Sequence, residues 1–442
     1  MSNDIQKPYD VAIIGGGVTG TALLYVLSRY TNLQKLVLLD KYKELAQVNS
    51  HFNNNSQTLH FGDIETNYSL AKAREVKKAA SFLAGYAEKY AKDAILLSHK
   101  MVLAVGDEEV SELERRYDEF REVFPNLKKI YRDEIFSLEP NVIKGRDLKQ
   151  KVLALLSEKG YAINYQKIAI SFAREALKQE KEIDIFLGRS AISVLRWDDW
   201  WKILTPDGEI FAKTIVVAAG PHSLIFAKSL GYGKELGILP VAGSFYKASN
   251  FLRGKVYTMQ IKKLPFAAIH GDPNVNDPTE TRFGPTAKVL PLLERHNWHT
   301  LPDFLETSVF TLCGVQSLFK IIIDKTIFWY VVKNLMFDVP WFGKRMFLKD
   351  AQKIVPAIKL TDLKYGIGLG GVRPQVVNTK QQKMEMGEAK IIGEGIIFDI
   401  TPSPGASVCL DNARKNAIEL GKFLKNYEFD EKKFLKDHKF EY

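Results

Sequence analysis

Cysteines, metal-binding motifs and long uninterrupted apolar runs are scarce in this sequence. Cys313 and Cys409 are the two cysteines among 442 residues, too few for the disulfide framework of a small secreted protein. No HExxH, paired CxxC or GxSxG motif occurs, so we expect neither a metal centre nor a serine nucleophile. Residues 1–8 are too few and too polar for a signal peptide, which predicts a cytoplasmic protein.

A basic cluster is also missing, although the chain carries a net charge of +10. This charge could attract nucleic acid, anionic lipid or an acidic substrate. The lysines are spread through mixed runs, and no nucleic-acid-binding module is recognisable, so we expect no nucleic acid partner. The chain of 442 residues, 46% apolar and 26% charged, instead indicates a globular protein of two domains.

The first 40 residues show the strand, turn and helix pattern typical of dinucleotide-binding proteins. An apolar run at Tyr9–Ile14 precedes a glycine turn and a helical pattern at Val18–Tyr30. The turn has the GxGxxG spacing, whose glycines permit a tight turn, close approach of backbone to pyrophosphate and close helix packing. These glycines are Gly15, Gly17 and Gly20.

An acid follows the second apolar run of this unit. Asp40 stands where a carboxylate would accept hydrogen bonds from an adenosine ribose, which disfavours a 2′-phosphate and therefore NADP. NAD and FAD both stay compatible with the unit. The polar segment 49–60 that follows is unusual for an NAD enzyme and suits a loop that binds a ligand.

The middle of the chain predicts further helices and strands. We expect a long helix at 68–92, a helix at 108–124, strands at 100–105 and 151–156, and a β meander over 183–217. The meander ends in a strand followed by Ala218, Ala219, Gly220 and Pro221, small residues that allow close approach to a cofactor.

This combination resembles the flavoproteins related to D-amino-acid oxidase and glycerol-3-phosphate dehydrogenase. Segments 366–375 and 398–407 resemble the elements that bracket the flavin in that superfamily. Within it, the chain is most similar to the malate:quinone oxidoreductase family, through 54–68, 270–272, 281–285, 371–375 and 401–407. It departs from the longer members of that family in its length and in segment 56–59, which is less rich in glycine.

The resemblance implies an α/β protein with FAD as cofactor. It implies a Rossmann-type FAD-binding domain assembled from residues 1–95, 157–235 and 355–442. Residues 96–156 and 236–354 would form an α+β substrate domain on a larger mixed or antiparallel sheet. The residues expected to contact FAD are Gly15, Gly17, Gly20, Asp40, Asn54, Ser56, Gln57, Thr58, Ala219, Gly220, Gly371, Pro404, Gly405, Ala406 and Ser407.

The activity implied is oxidation of L-malate to oxaloacetate, with hydride transfer from C2 to flavin N5 and electrons passed to a membrane quinone. A related 2-hydroxy acid enzyme acting on L-2-hydroxyglutarate or lactate is an alternative. A flavin-carrying protein that binds nucleic acid or assists assembly is an alternative of another class.

Histidine and arginine are the side chains that this reaction needs. A histidine can accept the hydroxyl proton near neutral pH, and an arginine fork binds a carboxylate. His270 follows the apolar run 264–269 and precedes a predicted Gly-Asp-Pro turn, and it is the expected base unless it caps that turn structurally. Arg373 is the expected catalytic anion-binding residue, unless it holds the glycine loop by a salt bridge. His60, Gln57 and Arg282 are expected substrate contacts, and His60 is the second candidate for the base.

Contact with a membrane is suggested by segment 318–345. It is rich in aromatic and aliphatic residues, but Lys320, Asp324, Lys325 and Lys333 interrupt it and exclude a spanning helix. The segment has the composition of an interfacial anchor, and a buried helix of the substrate domain is the alternative. We expect a peripheral protein on the inner face of the cell membrane.

Overall fold

The structure is a computed structural model that describes residues 7–260, 268–308, 316, 325–339, 341–384, 389–401 and 404–440. Residues 264–267, 318–324, Pro402 and Ser403, which contributed to the predictions above, lie outside this part of the chain. The strands are β1 (Tyr9–Ile14), β2 (Lys35–Asp40), β3 (Ile95–Val105), β4 (Lys128–Tyr131), β5 (Val152–Ile163), β6 (Glu182–Leu187), β7 (Ser193–Trp197), β8 (Trp200–Thr205), β9 (Gly208–Val217), β10 (Leu236–Ala242), β11 (Tyr246–Ser249), β12 (Lys255–Thr258), β13 (His270–Asn274), β14 (Asp277–Gly284), β15 (Lys288–Val289), β16 (Lys364–Tyr365), β17 (Val372–Asn378), β18 (Lys383–Met384), β19 (Ala389–Gly393) and β20 (Ile396–Ile400).

Helices connect and cover these strands. The α-helices are α1 (Val18–Tyr30), α2 (Leu70–Tyr90), α3 (Asp107–Phe120), α4 (Arg132–Leu138), α5 (Pro140–Ile143), α6 (Tyr165–Leu177), α7 (Ser223–Ser229), α8 (Leu301–Ser308), α9 (Lys325–Met336), α10 (Phe342–Ile354), α11 (Cys409–Leu420) and α12 (Glu431–Asp437). Short 3-10 helices lie at Phe52–Asn54, Lys92–Ala94, Gly220–His222 and Trp298–Thr300.

The first sheet is a Rossmann-type sheet built from separated parts of the chain. Its order is β19-β20-β9-β1-β2-β6, and β20, β9, β1, β2 and β6 run parallel. Strands β7 and β8 extend from β9 as an antiparallel meander. Strand β6 does not belong to the predicted meander, because it pairs in parallel with β2 and so completes the nucleotide-binding half of the sheet.

Apolar residues cover both faces of this sheet, as a parallel sheet requires. Helix α1 packs on one face, with its residues from Ala22 to Leu27 all buried at 1% exposure or less. Strand residues such as Ala12, Val37 and Ile215 form the core on the opposite face. The helix has the bounds predicted from the sequence, because its glycine turn and apolar pattern act locally.

Two further sheets form the rest of the fold. The order β15-β10-β17-β18 is antiparallel, and the order β16-β11-β14-β13-β12-β3-β5-β4 is mixed, with β12 and β3 parallel. The α/β class and the larger mixed sheet are therefore confirmed. Strand β5 crosses the proposed domain boundary at residue 156, and β16 joins the larger sheet from the segment after 355. The domain division stays a prediction.

Candidate functional site

The carboxyl ends of three parallel strands meet at one edge of the first sheet. Ile14 lies opposite both Leu39 and Val217, so Gly15, Asp40 and Ala218 follow side by side. Ligands of doubly wound sheets bind at such an edge. This edge is therefore where a nucleotide cofactor is expected.

The glycine turn at this edge has no room for side chains at two of its positions. Gly15 has φ +116°, and a Cβ there would lie 2.4 Å from the carbonyl oxygen of Ala218. A Cβ on Gly20 would lie 1.9 Å from the carbonyl oxygen of Gly15. At Gly17 the nearest atom would be the Ser50 hydroxyl at 3.3 Å, so this position stays open towards a ligand. The turn fits a pyrophosphate at the N-terminus of α1, where unpaired N–H groups favour anions.

Asp40, the last residue of β2, contacts the glycine turn through its side chain. Its carboxylate accepts hydrogen bonds from the backbone N–H groups of Gly16, at 2.6 Å, and Tyr42, at 2.8 Å. Burial raises the pKa of Asp40, and these two hydrogen bonds oppose the shift. These hydrogen bonds hold the side chain at the wall of the first cavity described below, and a carboxylate has further lone pairs that could accept from a ribose.

Two adjoining cavities continue from this edge. The first has a volume of about 380 Å³, and its lining includes Gly15, Gly17, Asp40, Ala219, Gly220 and Ala406. The second, of about 130 Å³, is lined among others by Asn54, Ser56, Thr58, His60, Gly371, Arg373, Pro404, Gly405, Ala406 and Ser407. Asn49, Pro374, Thr401 and Ala406 line both cavities. The pair fits a long ligand such as FAD, with its nucleotide in the first cavity and its ring in the second.

Arg373 is the second residue of β17 and lines the second cavity, two positions after Gly371. A Cβ on Gly371 would lie 2.5 Å from the carbonyl oxygen of Asn54, so the two segments touch without space for a side chain. Asn49 locks this contact, because its amide donates to the carbonyl of Val372 at 2.8 Å and accepts from that residue's N–H at 3.2 Å. Burial lowers the pKa of Arg373, but an arginine stays charged at neutral pH.

His60 lies on the wall of the second cavity. Its Nδ1 contacts the carboxylate of Glu65, whose side chain is 6% exposed, and its backbone N–H donates to the Ser407 hydroxyl at 3.0 Å. A carboxylate at Nδ1 fixes the ring and its tautomer, which leaves Nε2 as the nitrogen available to a ligand. Tyr165 braces the same wall through hydrogen bonds to the Thr58 carbonyl, at 2.7 Å, and to Ser407, at 2.8 Å.

His270 belongs to a buried ionic cluster on the larger sheet. The Asp272 carboxylate lies 3.3 Å from His270 Nε2, 3.4 Å from Lys255 Nζ and 3.2 Å from Arg282. All four side chains are at most 1% exposed. The ring of His270 also stacks on Tyr257, with centroids 4.4 Å apart. We call these four residues the Asp272 cluster.

Burial and charge act in opposite directions within the Asp272 cluster. Burial alone would raise the pKa of Asp272, but Lys255 and Arg282 outweigh it and hold that pKa well below its usual range. Burial lowers the pKa of Lys255 to about 8 and lowers the pKa of His270, against the pull of Asp272. Burial in the cluster therefore favours the neutral form of His270.

The predicted turn after His270 is wrong. His270 is the first residue of β13, and Gly271, Asp272 and Pro273 continue that strand opposite β14. A register shift between Pro273 and Asn274 accommodates the proline, which cannot donate to the ladder. Because side chains alternate along a strand, His270 and Asp272 share a face. That spacing could have pointed to Asp272 from the sequence.

Gln57, His270 and Arg282 line neither of the two cavities. Gln57 has φ +50° and is fully buried, and its side chain accepts from the Val275 N–H at 2.9 Å and donates to the Phe52 carbonyl at 3.1 Å. Gly20 also lies behind the cavity, as its packing role predicts. Asn49 belongs to the polar segment that was predicted to bind a ligand, whereas Glu65, Tyr165 and Lys255 were not predicted, because ordinary polar residues carry no local signal of their distant partners.

The family model described as DAO, FAD dependent oxidoreductase, matches residues 10–397. The chain is 42% identical to the probable malate:quinone oxidoreductase of Campylobacter jejuni, over 97% of this chain and 98% of that protein. It is 41% identical to the malate:quinone oxidoreductase of Helicobacter pylori strain 26695, over 98% of each chain.

More distant relatives agree with this grouping. The mitochondrial L-2-hydroxyglutarate dehydrogenase of Dictyostelium discoideum is 26% identical, over 86% of this chain and 85% of that protein. The structure of the FAD-bound L-alpha-glycerophosphate oxidase of Mycoplasma pneumoniae superposes with a TM-score of 0.67 at 17% identity, covering 94% of this chain and 95% of that one. Such a structural likeness shows the fold alone. The extent and identity of the sequence matches show that the chain belongs to the FAD dependent oxidoreductases and, within them, to the malate:quinone oxidoreductase family.

Proposed function

We propose that this protein oxidises L-malate to oxaloacetate and passes the electrons to a membrane quinone. The observation that carries the proposal is that one cavity is lined by both a cationic fork, Arg373, and a carboxylate-paired histidine, His60. The family relationship over nearly the whole chain supports the substrate. FAD, when bound, accepts the hydride from C2 of the hydroxy acid at N5 of its ring.

Arg373 binds one substrate carboxylate in this proposal. Its planar guanidinium donates two parallel hydrogen bonds to a carboxylate, and the surrounding burial strengthens them. The second carboxylate of malate lies towards the Asp272 cluster, where the basic side chains of Lys255 and Arg282 stand against one carboxylate. Arg282 attracts the substrate carboxylate only through its electrostatic field, because its guanidinium donates its hydrogen bond to Asp272.

His60 accepts the hydroxyl proton in this proposal, and Glu65 orients its ring. His60 is favoured over His270 as the base because it lines the second cavity, whereas His270 is buried against Tyr257 and Asp272. His270 is the competing candidate for the base. In that case a neutral His270 would take the proton after a movement of the wall formed by Thr58 and Tyr257.

The experiment that tests the function is anaerobic reduction of the bound flavin, followed by stopped-flow absorbance. L-malate is expected to reduce the flavin at least tenfold more efficiently than L-lactate, because lactate lacks the second carboxylate. L-2-hydroxyglutarate is the second candidate, favoured by the similarity to an L-2-hydroxyglutarate dehydrogenase. If L-2-hydroxyglutarate reduces the flavin faster than L-malate does, L-2-hydroxyglutarate is the substrate instead.

The same assay separates the two histidines. His60→Gln is expected to slow reduction by at least ~10²-fold, the usual contribution of a positioned base, with the flavin spectrum retained. His270→Gln is expected to slow it less. The reverse order would assign the base to His270.

A quinone acceptor requires access to a bilayer. Among the described residues, no helix is long and apolar enough to cross a membrane. We propose that the protein binds the membrane surface as a peripheral protein on the cytoplasmic side, because a membrane quinone is its proposed electron acceptor. Fractionation of cells that express the full chain tests this placement, and recovery with the membrane pellet that is reversed by high salt is the expected result.

A further inference from the structure

Helix α9 presents apolar side chains on its outer as well as its inner side. On the inner side, Ile327 and Val331 are 9% and 7% exposed. On the outer side, Phe328 and Leu335 lie seven residues apart on one face and are 41% and 43% exposed, and Val339, in the turn after the helix, is 41% exposed. A surface helix normally carries polar side chains there. Packing among the described residues therefore does not explain why the outer side of the helix is apolar.

The turn after α9 holds the most exposed tryptophan of the described residues away from the core. Trp341 is 87% exposed and has φ +69°, a left-handed conformation that a bulky residue rarely adopts. The turn is anchored by Phe337, which is 1% exposed and whose carbonyl accepts from the Tyr246 hydroxyl at 2.7 Å. A Cβ on Gly343 would lie 2.1 Å from that same carbonyl oxygen. A tightly held turn thus directs Trp341 into solvent.

A second part of the chain extends this surface. Ile367 is 89% exposed and follows β16, whose Tyr365 hydroxyl donates to the Asp338 carboxylate at 3.2 Å. That hydrogen bond ties the turn at 366–367 to the turn after α9. We call the combined surface the apolar ridge. Its exposed members on α9 and the following turn are Phe328, Trp329, Leu335, Val339, Trp341 and Phe342, and Ile367 completes it.

Positive charge accompanies the apolar ridge. Residues 325–354 contain six lysines and arginines against two aspartates. Both aspartates are already paired, Asp338 with Lys288 and Asp350 with Lys333. Lys344 and Arg345, next to Phe342, have no acidic partner within the described part of the chain. Exposed tryptophan beside unpaired basic residues matches an anionic bilayer interface better than it matches an apolar protein surface.

We infer that the apolar ridge docks this protein on an anionic lipid bilayer. The inference deepens the proposed function, because a quinone acceptor has to be reached from the bilayer. The ridge is connected to the candidate site through Gly366, the neighbour of Ile367. The N–H of Gly366 donates to the Phe245 carbonyl at 2.8 Å, and Phe245 and Gly371 line the second cavity. Docking through the ridge would therefore bring that cavity near the membrane surface.

Vesicle sedimentation of the full-length holoprotein tests the inference. The wild type is expected to bind vesicles of phosphatidylglycerol and phosphatidylcholine, and to bind pure phosphatidylcholine much less. Trp341→Ser and Ile367→Ser are each expected to lower the partition coefficient about tenfold or more, since each removes a large apolar anchor. Trp197→Ser and Leu195→Ser are matched controls, because these residues are 47% and 44% exposed on β7, outside the apolar ridge and both cavity linings. The controls are expected to bind like the wild type.

Three outcomes would overturn the inference. Wild-type binding by both ridge variants would do so, and so would an equal loss in the Trp197 and Leu195 controls. Dissociation of a dimer by the ridge variants, seen by sedimentation velocity without a change in vesicle binding, would assign the ridge to a second copy of the chain. Reduction of the flavin by malate is measured in parallel. If malate fails while the ridge variants lose vesicle binding, the proposed function is wrong and the docking surface stands.

Discussion

Lys255 joins the Asp272 carboxylate to the wall of the second cavity. Its ammonium lies 3.4 Å from Asp272 and donates to the Thr58 hydroxyl at 3.0 Å. The Thr58 hydroxyl also lies 2.7 Å from that of Tyr257. A charge that is fully enclosed by protein is thereby connected to the loop that lines the candidate site.

Removing that carboxylate is expected to be strongly destabilising. Asp272→Asn leaves Lys255 and Arg282 buried without a counter-charge, which typically costs ~3–5 kcal/mol. The free energy of unfolding from urea titration measures the loss. Asp277→Asn, on the exposed end of the same hairpin, is the control and should stay within ~0.5 kcal/mol of the wild type. The double variant Asp272→Asn/Lys255→Met should recover part of the loss, and additive losses would argue against the ionic coupling.

The same carboxylate predicts how stability depends on pH. Its pKa in the folded protein is held well below the usual value, so the unfolded chain binds the proton more readily. The stabilisation is therefore fully present above the unfolded pKa of ~3.9 and is lost as the pH falls below it. The difference in urea midpoint between wild type and Asp272→Asn should be constant from pH 7 to 5 and shrink from pH 4 to 3. A difference that grows on acidification would contradict this.

Two glycines of the first turn should respond differently to alanine. Gly20→Ala places a Cβ 1.9 Å from a backbone oxygen, so we expect loss of stability even without cofactor. Gly17→Ala meets a side-chain hydroxyl at 3.3 Å and should leave the apoprotein stable, while the new methyl group weakens binding of the pyrophosphate. Thermal melting of apoprotein and fluorescence titration with FAD measure the two effects. Equal losses of apoprotein stability would refute the distinction.

Arg373 should matter for the substrate more than for the fold. Arg373→Met removes charged hydrogen bonds worth ~1.5–3 kcal/mol, so kcat/KM for malate should fall by about 10- to 150-fold. Arg373→Lys keeps the positive charge but lacks the planar guanidinium. Its kcat/KM should therefore lie between those of the wild type and Arg373→Met. Steady-state dye reduction is the assay, with the exposed Lys383→Met as the control. Unchanged kcat/KM in Arg373→Met would place the carboxylate elsewhere.

Local features of the sequence predicted the nucleotide-binding unit well. Gly15, Gly20 and the helix Val18–Tyr30 lie as expected, because backbone sterics and helical periodicity act over a few residues. The strand that begins at His270 was harder to predict, since a Gly-Asp-Pro sequence is more typical of a turn. Pairing with β14 and a register shift outweighed that local preference.

The sequence by itself determined the first strand, glycine turn and helix, the residues with the right chemistry and, through the family resemblance, the cofactor class. Only the tertiary structure decided which of these residues lie in contact with one another. Ser407 reaches the backbone of His60 across 347 positions, and Lys255 reaches Thr58 across 197. Such contacts depend on how sheets are registered and packed against each other, and no local pattern encodes that geometry. For the same reason His60 lines the second cavity while His270 is enclosed in the Asp272 cluster, although both were plausible bases from their sequence context.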